Sequence, residues 1–188
     1  MIYLIIGGSC AGKSSFVKNS FLKNAQQIDI YKDILTITET EKTILIGPYD
    51  NKQRKAGTDF VARQHVKYIG EQVERLLSKN KDIVLEGTKI VSRPLFDFIK
   101  SLNVEVKLIL ISITAETSFI RNQQNNSTIS FKTIKSEVTK ANNIFNEYAD
   151  CFNGEIIVTD DIDDFTNFDI TYKKERLIKR PTLFDFEE

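Results

Sequence analysis

The sequence predicts a three-layer α/β fold: one domain, a central parallel sheet, helices on both faces and a lid. Two observations predict it. Short β-branched runs at 2–6, 83–85, 104–113 and 156–158 alternate with segments of helical period, the pattern of strand–helix–strand crossovers. The first run passes directly into Gly7-Gly8-Ser9-Cys10-Ala11-Gly12-Lys13-Ser14, which matches G-x-x-x-x-G-K-[ST] at every fixed position.

That motif has a physical reading. A buried strand delivers the chain to a tight glycine turn, and a helix begins at about residue 14. Glycines let the backbone wrap an anionic group with successive N–H groups pointing inward, and the helix start adds partial positive charge. Gly7, Gly8, Ser9, Cys10, Ala11, Gly12, Lys13, Ser14 and Ser15 are therefore the expected nucleotide-binding residues. Lys13 reaches the outer phosphates, and Ser14 offers a hydroxyl to Mg²⁺. The expected ligand is ATP with Mg²⁺, on what is then a phosphate-loop NTPase fold.

The remaining elements follow in order. Runs at 34–38 and 43–46 flank Glu39-Thr40-Glu41-Lys42 and predict a hairpin, ended by Gly47-Pro48. A polar, basic loop covers 49–57. Apolar residues from Val61 to Leu77 recur near the helical period and predict one long helix over 58–78. Ser92-Arg93-Pro94 opens another helix, with serine as cap and proline tolerated in the first turn. Thr114 caps a helix running to about Arg121, a polar stretch covers 122–130, and 131–148 is helical. The division expected is a kinase-like domain over 1–160 and an extension over 161–188.

Composition excludes several classes. Two cysteines, Cys10 and Cys151, are too few for a disulfide framework and lack metal-ligand spacing. No run approaches the roughly 20 apolar residues of a membrane span, and no basic segment or cleavage site precedes the first strand, so the expected location is cytoplasmic. Lys+Arg and Asp+Glu both number 26, so bulk charge does not mark a nucleic-acid binder. The balance is uneven, however. Asp160, Asp161, Asp163 and Asp164 are followed by Lys173, Lys174, Arg176, Lys179 and Arg180, which reads as a solvated tail or a polyanion contact.

A phosphate loop alone does not separate kinases from motors or GTPases. Glu86, followed by Gly87, ends a buried strand where ligands of α/β sheets collect, and can organise metal or act on the acceptor. A single carboxylate there suits small-substrate kinases better than the paired acids of many motor ATPases. Asn80-Lys81-Asp82 lacks the spacing of the GTPase base-reading signal. Phosphoryl transfer needs charge neutralisation, and Arg121 lies where a lid arginine would start. Lys132, Lys135, Arg54, Lys55 and Arg63 are substitutes. Asp59 at a helix start and Asp33 compete as the base for an acceptor hydroxyl, and Tyr49 can stack on a base. His65, in the long helix, reads as a surface or half-buried residue.

These residues resemble the small phosphate-loop kinases. The stretch 7–33 is similar to the opening of polynucleotide kinases, with an aspartate where their acceptor-activating base lies. Gly47-Pro48-Tyr49-Asp50, Gly57-Thr58-Asp59 and Leu85-Glu86-Gly87 resemble phage-encoded 5-hydroxymethyluracil DNA kinases, over about 1–160. The resemblance departs at Lys55-Ala56-Gly57. It implies ATP-dependent phosphorylation of a hydroxymethyl pyrimidine in DNA. Two alternatives stand beside it: a nucleoside monophosphate kinase acting on free nucleotides, and a nucleotide-gated binding protein. The acidic terminus with Leu183, Phe184 and Phe186 resembles peptides that dock onto sliding clamps.

Overall fold

β1 (Ile2–Gly7) lies at the heart of a mixed sheet completed by β2 (Asp29–Lys32), β3 (Thr36–Glu39), β4 (Thr43–Ile46), β5 (Asp82–Glu86), β6 (Val106–Ser112) and β7 (Glu155–Val158). Their order is β2-β3-β4-β5-β1-β6-β7. The structure is a computed structural model and describes residues 1–24, 29–49, 56–162, 165 and 168. Asp50, Arg54, Lys55, Asp163, Asp164, the basic run from Lys173 and the terminal Leu183, Phe184 and Phe186 lie outside the described residues.

From β4 to β7 every pairing is parallel, whereas β2, β3 and β4 are joined antiparallel. The expected hairpin is thus present, and β2 adds a strand beyond it at the sheet edge. The central strands are apolar on both faces because both are covered. Ile2, Leu4 and Ile6 of β1, with Ile83, Leu85, Leu108 and Leu110, enter one core; Ile5, Val84, Ile109 and Ile111 enter the other. The first core is closed by α2 (Ile69–Leu77), α3 (Arg93–Ser101) and α5 (Phe131–Tyr148). The second is closed by Phe16 and Val17 of α1 (Lys13–Val17), with Ile162 and Phe168 from beyond β7. This is the three-layer α/β arrangement. No helix among the described residues is long and apolar enough to cross a membrane.

Caps behave largely as their residues dictate. Thr114 accepts from the Thr117 N–H at the start of α4 (Ala115–Gln124), and Ser130 accepts from the Thr133 N–H ahead of α5. Ser92 precedes α3 in extended backbone, but its side chain makes no capping bond. One expected helix is corrected. The span 58–78 is not continuous: 3₁₀ turns at Gly57–Phe60 and Arg63–Tyr68 precede α2. Val61 and Ala62 between them take ψ values of 128° and 140°, outside the helical region. The Lys89 ammonium takes the carbonyls of Asp59 and Val61, acceptors that a continuous helix would use for its own ladder. The lid segment between α4 and α5 is a short turn, pinned by buried Asn122, whose Nδ2 donates to Ser127 O (3.3 Å) and Ile129 O (3.0 Å).

Phe96 on α3 joins helices to the sheet: it is fully buried, with its ring 5.1 Å from Tyr148 and 5.9 Å from Phe152. Phe96→Ala is expected to cost about 3–5 kcal/mol of unfolding free energy, read from urea denaturation midpoints.

Candidate active site

β1 has β5 on one side and β6 on the other: the chain leaves β1 toward the β2–β5 side, and after β5 it crosses past β1 to β6. A crevice opens at such a switch point beyond the strand ends. The loop 7–14 fills it, and its carbonyls are engaged by the protein. Lys13 Nζ donates to Gly8 O (2.7 Å), Ser118 Oγ to Ser9 O (2.5 Å), Thr159 Oγ1 to Ala11 O (3.1 Å) and the Phe16 N–H to Gly12 O (2.9 Å). Phe16 is the first residue to enter the helical ladder, so the amides just before it stand at the helix start as open donors. Gly12 has φ +96°, and a Cβ there would lie 2.3 Å from Cε1 of Phe165. Both conformation and space demand glycine.

Beneath the loop, at the end of β5, lies Glu86, fully buried. Its Oε1 accepts from Ser14 Oγ at 2.8 Å, while Oε2 is buried without a hydrogen-bond partner. Burial raises the Glu86 carboxyl to about 7, a shift opposed by the Lys13 charge and reinforced by Asp59. Tyr49 packs against the same carboxylate. Its hydroxyl is buried without a bond of standard geometry, yet burial and the Glu86 charge push it well above its usual range. The expected stacking of Tyr49 on a base is therefore corrected: the ring belongs to the core.

Gly57, at φ +59°, comes so close that a Cβ would sit 2.5 Å from Glu86 Oε1. Thr58 Oγ1 then donates to the Glu86 carbonyl at 2.6 Å. The next residue, Asp59, is aimed by its neighbours: its Oδ1 accepts from the Thr88 N–H (2.8 Å), Thr88 Oγ1 (2.9 Å) and the Lys89 N–H (3.3 Å).

A cavity of about 570 Å³ opens over the loop, lined by residues 9–15, Ala56, Asp59 and Arg121, with Gln124, Asn125, Ile129, Ile162 and Phe165. Glu86 lies behind Ser14 instead of on the wall. Lys13, Ser14, Asp59, Glu86 and Arg121 are thus brought together. Arg121 is held differently from a free lid arginine. Its Nη2 donates to Thr159 O (2.5 Å) and Ile162 O (2.7 Å), and its guanidinium lies 5.0 Å from the Phe165 ring centre. Nη1 is buried without a partner.

Asp33 is not brought to this cavity. It follows β2 at the sheet edge, in an exposed ion pair with Arg75 at 3.3 Å. Lys132 and Lys135 lie on the exposed face of α5, Arg63 on an exposed 3₁₀ turn, and His65 is half-buried beside Tyr68. Burial raises the Cys10 thiol, chiefly by desolvation, so it is less readily ionised than an ordinary cysteine. Sequence reasoning missed Glu137, whose Oε2 accepts from both the Ser9 N–H (3.2 Å) and Ser9 Oγ (2.6 Å). It missed Ser118 and Thr159 as well. Small hydroxyls and one glutamate in a helix carry no local signature.

No family model and no curated protein matches this chain. Among solved structures it is similar to deoxyadenosine kinase from M. mycoides with bound dATP, at 14% identity and TM-score 0.47, over 89% of this chain and 95% of that one. It is also similar to the same enzyme with bound dCTP, at 13% identity and TM-score 0.44, over the same shares. At such distance, function has to be read from this chain's own residues.

The Glu86 carboxyl gives a pH dependence of stability. Its ordinary value is 4.5 and its folded value about 7, so between these the folded chain holds a proton that the unfolded chain has lost. Stability is then full below about pH 4.5 and falls by about 3 kcal/mol as pH rises through 7. Glu86→Gln keeps an acceptor for Ser14 and is expected to flatten this window, measured as urea midpoints at acid and alkaline pH.

Proposed function

We propose that this chain is an ATP- and Mg²⁺-dependent phosphotransferase. It moves the γ-phosphoryl group to a hydroxyl of a nucleotide or of a hydroxymethylated pyrimidine in DNA. One observation carries the reading. A nearly buried lysine, a Ser–Glu pair and an oriented aspartate converge on a glycine loop whose Gly8, Ser9, Ala11 and Gly12 carbonyls are held by the protein.

Each group has a task. Open amides at the start of α1 cradle phosphate oxygens, and Lys13 neutralises charge on the β- and γ-phosphates. Ser14 Oγ and the Glu86 carboxylate are hard oxygen donors, and the unpartnered Oε2 leaves Glu86 with capacity to spare. Among the described residues no cluster of three or more acidic, His or Cys side chains could hold a metal by itself. That fits Mg²⁺, which takes few protein ligands and completes its shell with phosphate and water. When bound, the metal supplies neutralisation of the β- and γ-oxygens.

Asp59, on the cavity wall with Oδ1 fixed by three donors, is placed to accept the proton of an acceptor hydroxyl. The cavity lining also mixes amides, Gln124 and Asn125, with the apolar Ile129, Ile162 and Phe165, a lining suited to the donor base. Arg121, bonded to Thr159 O and Ile162 O, braces that wall.

Incubation with γ-labelled ATP and a panel of nucleosides, nucleotides and oligonucleotides containing 5-hydroxymethyluracil is expected to label at least one acceptor. Labelling of none by folded protein would sink the reading. Lys13→Ala is expected to lower kcat by about 10²–10³. Asp59→Asn is expected to lower kcat by about 10²–10⁴ with ATP affinity retained. Single-turnover assays and nucleotide titration separate these effects.

A further inference from the structure

Positive and negative side chains number 26 each, so a surface of one sign has to arise by segregation. α5 carries such a surface. Lys132, Lys135, Ser136, Thr139, Lys140 and Asn143 recur at helical spacing on one face, and all are exposed. With Arg93 at the start of α3 they line a groove of about 590 Å³ that has no carboxylate in its lining.

The cations are poorly explained by the fold. Arg93 is paired with Glu147 at 2.7 Å, but Lys132, Lys135 and Lys140 carry no ion pair among the described residues. Glu137, the carboxylate that interrupts this half of α5, is turned to Ser9. Lys132 and Lys135 repel each other three residues apart, and both lie toward the helix start, where the macrodipole disfavours cations. An ordinary solvated helix interleaves the two signs. Here the like charges are concentrated at a cost to the helix, and a polyanion would offset that cost.

We propose that this groove binds the phosphate backbone of a nucleic-acid strand. From Lys132 to Asn143 the face runs about 16 Å along the axis, long enough for successive phosphates of one strand. The hydroxyls and amide between the lysines supply the neutral donors that strand phosphates and sugars take. Phe131, exposed and held edge-on by Phe119 at 5.5 Å, stands one turn from Lys135 and presents a ring to a base. A concave groove admits a strand, whereas a lipid surface requires a flat or convex cationic face. The proposal is independent of phosphoryl transfer, since it concerns binding alone.

The test is fluorescence anisotropy with a labelled mixed-sequence oligodeoxynucleotide, titrated across salt concentrations, alongside ATP affinity and thermal unfolding. Wild type is expected to bind, with affinity falling as salt rises. K132Q/K135Q/K140Q is expected to lose at least about tenfold in affinity and to reduce the salt slope by about 2–3, with ATP affinity unchanged. A control at two exposed lysines elsewhere, K42Q/K100Q, is expected to bind as wild type does. Should the triple variant fail to fold, K140Q alone is expected to lower the slope by about 1. The proposal is overturned by absence of binding at low salt, by unchanged affinity and slope in the groove variants, or by equal loss in the control. It is also overturned if vesicles of anionic phospholipid bind in place of the oligonucleotide.

Discussion

The bond between Ser14 Oγ and the buried Glu86 carboxylate is the contact on which the site depends, because it ties the start of α1 to the end of β5. Everything around it follows from giving that carboxylate room. Gly57 must lack a side chain beside Oε1, and the 3₁₀ turn Gly57–Phe60 starts at this close approach. The turn delivers Thr58 to the Glu86 carbonyl and Asp59 to the cavity wall. Thr88 and Lys89, just past Gly87, then fix the Asp59 carboxylate. A base candidate is thus positioned by the strand that supplies the buried acid.

Such an arrangement opposes stability locally. Burial disfavours the ionised Glu86, and Asp59 and Tyr49 crowd the same small volume. Lys13 compensates in part, and it is itself nearly buried, with its ammonium folded onto the Gly8 carbonyl. Lys13 and Asp59 thus act on the Glu86 carboxyl in opposite senses, the one favouring its charge and the other opposing it. The two apolar cores supply the rigidity that holds these opposed charges in place.

Much of this was legible in the sequence. Strands buried on both faces read as unbroken apolar runs, and the phosphate loop announces itself through glycines whose conformation no other residue adopts cheaply. α5 spans 131–148, the bounds expected for it from the sequence. What was not legible is nonlocal. The apolar spacing from Val61 to Leu77 continues through a break, because Val61 is buried without being helical and Lys89 takes the carbonyls. Asp33 has the right distance in sequence from Lys13, yet the extra edge strand leads it to Arg75. Tyr49 reads as a polar-loop aromatic but is drawn into the core beside Glu86.

The protein-held carbonyls of the loop 7–14 also bear on the order in which parts of the fold are completed. Ala11 O is held by Thr159, 148 residues away, and Ser9 O by Ser118, 109 residues away. Thr159 follows β7 directly, so its hydroxyl reaches Ala11 O only once β7 has docked on β6. Contacts this distant form late, after the loop-closure entropy has been met by the rest of the sheet. Any ligand that requires the finished loop would therefore stabilise only chains in which β7 is in place, which links binding there to completion of this side of the sheet.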